Sequence, residues 1–172
     1  MAQAPMETID ELVDFLTEQH DQLKSLLPKV LAASGNERKE LWRQLRQTLA
    51  VHEALEQETV HPAAAQLTDD AESPRMEEET EAEDAITELE SKDVDSEEFA
   101  EGYDQLQGDV VDHAEHEESE EFNQLSGELT APAKARVSVA LELFARVEDG
   151  TLPGDSFEEM FSGAKERIHG AG

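Results

Sequence analysis

Apolar side chains recur at three- and four-residue steps along nearly the whole chain, and sustained two-residue alternation occurs nowhere. This periodicity restricts the chain to packed helices. Ile9, Leu12, Val13, Leu16, Leu23, Leu27 and Val30 mark a helix over residues 8–33, in which Pro28 should kink or end the last turn. Ser34-Gly35-Asn36 reads as a stop and a new cap. Leu41, Leu45, Leu49, His52, Leu55, Glu56, Thr59 and Val60 mark a second helix over 37–67, interrupted near its end by Pro62. A polar connection over 68–74 leads to a third helix at 75–90, with the sparse stripe Met76, Ala82, Ile86, Leu89. The fourth runs over 97–125 through Phe99, Tyr103, Leu106, Val110, His113, Glu117 and then Phe122 or Glu121. Its Ser96-Glu97-Glu98 start suits the positive end of the helix dipole. Two more helices are expected at 132–148 and 155–168. The predicted fold is all-α: an antiparallel four-helix bundle at 8–127 and a C-terminal helical extension at 128–172.

Composition narrows the function. The chain of 172 residues carries 43 acidic and 13 basic side chains, a formal net charge of −30. Such a charge disfavours nucleic acid, which needs a basic patch, and an anionic membrane surface. No apolar run approaches the ~18 residues of a membrane span. The N-terminal residues Met1-Ala2-Gln3-Ala4-Pro5-Met6-Glu7 lack the charged and apolar regions of a secretory signal, so a cytoplasmic protein is expected. The absence of cysteine excludes disulfides, iron–sulfur clusters and thiolate zinc sites. Most of the carboxylates read as a solvated surface of the kind suited to high salt. Twenty-five of them fall within 69–128, against only Arg75 and Lys92, a balance that would ordinarily indicate disorder. The stripe from Phe99 to Val110 argues for a helix there nonetheless.

The informative residues are polar ones standing in apolar stripes. His20 follows Leu16 by four and precedes Leu23 by three. His52 and Glu56 continue the stripe through Leu49, and His113 and Glu117 continue the one through Val110. A charged glutamate on a core face is costly unless it is paired or binds a metal. Residues four apart lie one above the other on a helix, so each HxxxE pair aims an imidazole and a carboxylate at one point or at two adjacent metals. Two such pairs and a third helix's histidine can assemble a carboxylate-bridged di-iron or di-manganese site inside a bundle. Imidazole and carboxylate together suit iron or manganese. A third pair, His116/Glu120, is rotated toward a polar edge and reads as accidental. His61, before Pro62, reads as exposed or capping, His169 as part of a disordered tail, Tyr103 as core, and Trp42 as core or boundary. Lys24, one turn past His20, is expected to reach toward solvent.

These segments resemble the hemerythrin-like, HHE cation-binding family. The resemblance rests on His20 with Leu23 three later, and on His52-Glu53-Ala54-Leu55-Glu56-Gln57-Glu58 with Pro62 beyond. It rests also on His113-Ala114-Glu115-His116-Glu117-Glu118 with Phe122, although Asn123 replaces the family's usual proline. It covers residues 8–125. It implies a centre of two non-haem iron ions, with manganese as the other option. The implied ligands are His20, His52, Glu56, His113 and Glu117, with Glu56 and Glu117 bridging. The implied partners are oxygen, peroxide or nitric oxide, and the chain is expected to be a monomer or weak oligomer. The third helix departs from the family pattern, because no histidine lies between His61 and His113. Alignment on Ile86 puts Glu83 at the family's ligand position, with Glu79 one turn earlier and Asp84 less well phased. More carboxylate stabilises ferric iron, which favours reaction with or sensing of small oxidants over reversible oxygen transport. Metal storage or delivery without turnover, or an acidic bundle that has lost its site, are the other readings of the same residues.

Overall fold

The computed structural model describes residues 3–68 and 74–172; most of the expected 68–74 connection and the first two residues of the N-terminal segment lie outside the described residues. Six helices follow in order: α1 (Ile9–Ala32), α2 (Gly35–Thr68), α3 (Pro74–Glu90), α4 (Glu97–His116), α5 (Ala131–Glu148) and α6 (Phe157–Ala171). No strand forms among the described residues beyond a single bridge between Thr8 and Glu128, so the fold is all-α.

Local chemistry starts each helix. Thr8 and Glu11 form a reciprocal capping box at α1. Ser96, Thr130 and Ser156 accept backbone N–H bonds at the starts of α4, α5 and α6. Between α1 and α2 the chain reverses at Gly35, whose φ of +58° lies in the left-handed region. Arg38 then reaches back, donating to the carbonyls of Val30, Leu31 and Ala33, and across to Val94 before α4. One side chain thereby satisfies the open carbonyl end of α1 and ties the α3–α4 connection to it.

Neither proline ends its helix. Pro28 and Pro62 lie inside α1 and α2, which run on to Ala32 and Thr68. The fourth helix also departs from the expected continuous 97–125. Its α-helical part stops at His116, and a π-helical turn, Glu117–Glu121, and a 3-10 turn, Phe122–Gln124, complete it.

α1 and α2, α3 and α4, α1 and α4, and α2 and α3 pack as neighbours, making the bundle. Gly102 permits close approach of α4 to α3, since a Cβ there would lie 2.8 Å from Leu89. At one end Trp42 meets Phe99 and Tyr103 edge-on, and the Tyr103 hydroxyl donates to the Leu27 carbonyl at 2.7 Å. His113 lies ten residues along α4, about 15 Å away, so the aromatic end and the histidine end are separate. α5 and α6 pack along α2 and add Val137, Leu143, Phe157 and Ile168 to the same apolar cluster. α2 is thus covered on several sides, and Leu49 through Glu56 are all buried in succession. The tail expected to be disordered is helical: α6 continues past fully buried Ile168, and His169 donates to Glu58 at 2.7 Å. No helix among the described residues is long and apolar enough to cross a membrane.

Arg38→Met should cost about 2–3 kcal/mol, because several backbone carbonyls lose a charged donor together. Urea denaturation would show this as a lowered midpoint with an unchanged slope.

Candidate metal centre

The interior of the bundle holds an unusual density of polar groups. His20, His52, His61, Glu53, Glu56, Glu79, Glu117 and Glu121 are all buried, and His113 nearly so. α1 supplies His20, α2 supplies His52, Glu56 and His61, and α3 supplies Glu79. α4 supplies His113, and the π turn supplies Glu117 and Glu121. One extra residue in that turn lets Glu117, Glu121 and Phe122 all face inward.

Two groups of donor atoms emerge, each with its atoms within 4.8 Å of one another: His20, His52, Glu56 and Glu117, and Glu56, Glu79, His113 and Glu117. They share Glu56 and Glu117. An ion about 2 Å from each ligand needs its donors about this close.

The histidines are oriented for such a role. His52 Nδ1 donates to the Gln19 side-chain oxygen at 2.8 Å, and His20 Nδ1 to Glu118 at 2.8 Å. His113 Nδ1 faces Glu78 at 3.3 Å. An outer acceptor on Nδ1 turns Nε2 inward, as second-sphere partners of metal-binding histidines do. The two inward nitrogens of His20 and His52 then lie 3.1 Å apart. His20 Nε2 lies 3.1 Å from Glu117, His52 Nε2 3.1 Å from Glu56, and His113 Nε2 2.9 Å from Glu117. Yet both oxygens of Glu56, both of Glu117, and His113 Nε2 lack a well-aligned hydrogen bond. Converging lone pairs on wholly buried carboxylates need a cation between them. The donor set therefore fits a metal, and its imidazole and carboxylate chemistry suits iron or manganese.

Beside the centre lies a cavity of about 20 Å³, bordered by His20, His52, His113, Leu23, Leu49 and Val110. It has room for about one water-sized molecule. Glu53 is on its wall. Burial, then the charges of Glu79 and Glu83, push the Glu53 carboxyl well above its ordinary range.

Five of the six residues singled out in the sequence, His20, His52, Glu56, His113 and Glu117, come together here. Glu83 does not; it stands half-buried outside both groups, and Glu79 occupies the place on α3. The reason is phase: Glu79, Ala82, Ile86 and Leu89 form the buried stripe, and Glu83 is off it. His61 is corrected from an exposed or capping residue to a buried one, bonded through Nδ1 to Glu121 at 2.5 Å and through Nε2 to Glu79 at 2.6 Å. Phase on α2 misses it because that helix is covered on more than one side. Gln19 and Glu118 carry no sequence signal beyond adjacency to His20 and Glu117. Lys24 turns toward the site's edge, 3.7 Å from Glu118. His116 is half exposed and outside both groups.

These features define a helical bundle with a buried histidine–glutamate cluster of the kind that holds a metal ion. The Hemerythrin HHE cation binding domain matches residues 11–125, and the chain belongs to that family. α5 and α6 lie beyond the matched segment. No curated protein and no solved structure matches the chain.

Without metal, protons must do the cation's work. Burial opposes charge on His20, but the Glu117 and Glu56 carboxylates facing it push it up to about 10, from an ordinary 6.5. His113 is pushed up to about 12, against its burial, by Glu117 and Glu79. Against its own burial, Glu56 is held well below 4.5 by His52 and His20. The raised histidines contribute stability that is full below 6.5 and is lost as pH climbs through about 10 for His20 and about 12 for His113. The lowered carboxylate contributes above 4.5 and loses it in acid. Metal-free protein should therefore melt highest between about pH 4.5 and 6.5 and lower as pH rises toward 10, by about 2–4 °C per kcal/mol lost. Calorimetry across that range, with and without manganese(II), checks this; bound metal should raise the melting temperature most at the alkaline end.

Proposed function

We propose that the protein binds two non-haem iron ions in the paired donor groups and reacts with, or senses, a small oxidant such as oxygen, peroxide or nitric oxide. The observation that supports it best is the set of buried oxygens of Glu56 and Glu117 that lack an aligned hydrogen bond and are shared by two groups of donors. In this reading His20 and His52 would hold one ion and Glu79 and His113 the other, with Glu56 and Glu117 common to both donor groups. Bound iron would supply one-electron chemistry there.

The chain's own residues set what can happen there. Gln19, Glu118 and Glu78 hold the imidazoles in one orientation. The small cavity beside them has room for a molecule of about the size of water. The Phe122 ring stacks on His20 with centroids 5.7 Å apart, covering that side against water. Three carboxylates against three histidines favour the higher metal charge. This balance supports oxidation or sensing over reversible oxygen carriage.

Reconstituted anaerobically with ferrous iron, the protein should retain about two irons per chain and gain a ligand-to-iron absorption band on exposure to air. Glu117→Gln should lose iron from both positions, by more than the ~10–100-fold typical of outer contacts. Glu79→Gln should weaken one position, and Glu83→Gln should leave uptake unchanged. Retention of no iron by the unaltered protein rejects the reading.

A further inference from the structure

Glu79 differs from the other carboxylates of the centre because both of its oxygens are already engaged. His61 Nε2 meets Oε1 at 2.6 Å, and Gln57 Nε2 donates to Oε2 at 2.7 Å. Gln57 can donate in that direction only if its amide oxygen points away from Glu79. That oxygen meets Lys165 Nζ at 2.7 Å. A flipped amide would set two donors against each other at Lys165 and two acceptors against each other at Glu79. Lys165 and Glu79 together fix which way Gln57 points.

Lys165 belongs to α6, outside the residues matched by the family. Its own position is set from several sides. The ammonium lies 5.7 Å from the centre of the Phe161 ring, and Phe161 stacks on Phe157. The Phe157 N–H donates to Glu90, the last residue of α3, which also pairs with Arg46 on α2. α6 is thus docked against the two helices that bear Gln57 and Glu79.

We propose that α6 is part of the metal centre: Lys165, acting through Gln57, is a positioning residue for Glu79. This rests on the metal-binding reading above. The link locks the Glu79 carboxylate in one rotamer and brings a positive charge within two hydrogen bonds of it. Its loss should weaken the ion held by Glu56, Glu79, His113 and Glu117 about 10–100-fold, the usual effect of an outer-sphere partner. The ion held by His20, His52, Glu56 and Glu117 should be affected much less.

The test is a cobalt(II) titration of full-length, metal-free protein, followed by visible absorption with a competing chelator. The unaltered chain, Lys165→Met, Lys165→Arg, Gln57→Leu and the Lys165→Met/Gln57→Leu double variant are compared, with circular dichroism confirming that each is folded. Lys165 is only part-buried, so its variants should keep the fold. Expected are two binding steps in the unaltered chain, one of them weakened in Lys165→Met with a changed cobalt spectrum, and recovery in Lys165→Arg. Gln57→Leu should reproduce the loss, and the double variant should add nothing to it, since both act through one link. Two cobalt ions bound with unaltered affinity in Lys165→Met overturn the relay alone, as do additive losses in the double variant. No cobalt bound by the unaltered chain overturns the metal-binding reading and the relay with it.

Discussion

The carboxylates of Glu56 and Glu117 are wholly buried and have no aligned hydrogen-bond donor. Removing an ionised carboxylate from water costs several kcal/mol even after relaxation. A bundle can hold two of them only by surrounding them with positive charge. Three helices deliver His20, His52 and His113 for this purpose, each with its outer nitrogen held in place. With metal absent, protons on His20 and His113 balance the acids. With metal present, the same nitrogens and oxygens are free to coordinate. The direction of the histidine rings follows from this one requirement.

Two departures from regular helix geometry serve it. The π turn after His116 spreads Glu117, Glu121 and Phe122 around the interior, where an α-turn would carry one of them outward. The passage of α2 through Pro62 carries His61 into the core, where it joins Glu79 to Glu121. Around these, α5 and α6 close the remaining sides of α2. The C-terminal helices therefore share the bundle's apolar cluster, and α6 reaches toward Glu79 through Lys165 and Gln57.

Much of the centre was legible from helical phase. His20, His52, Glu56, His113 and Glu117 each sit where an apolar residue would otherwise continue a stripe, and all five meet. The misreadings have separate physical causes. Glu83 was favoured over Glu79 by alignment on one aliphatic residue, whereas the full stripe of Ala82, Ile86 and Leu89 runs through Glu79. His61 escaped because phase identifies one buried face and α2 has several. The continuous fourth helix ignored the π turn, which leaves no mark in the residue pattern. His169 was assigned to a disordered tail because the last helix was expected to stop at residue 168, whereas α6 runs on to Ala171 past the buried Ile168.

The sequence alone determined that this chain is a set of amphipathic helices, that no thiolate chemistry is open to it, and that a few histidines and glutamates must turn inward. Those properties are local: period, residue type and charge decide them. Only the tertiary structure decided which carboxylate α3 contributes, that two acids are shared between two donor groups, and that the C-terminal helices reach the centre. Those depend on how far apart side chains on different helices end up. That distance is set by packing, by the π turn and by the enclosure of α2, and periodicity along one helix carries no record of it.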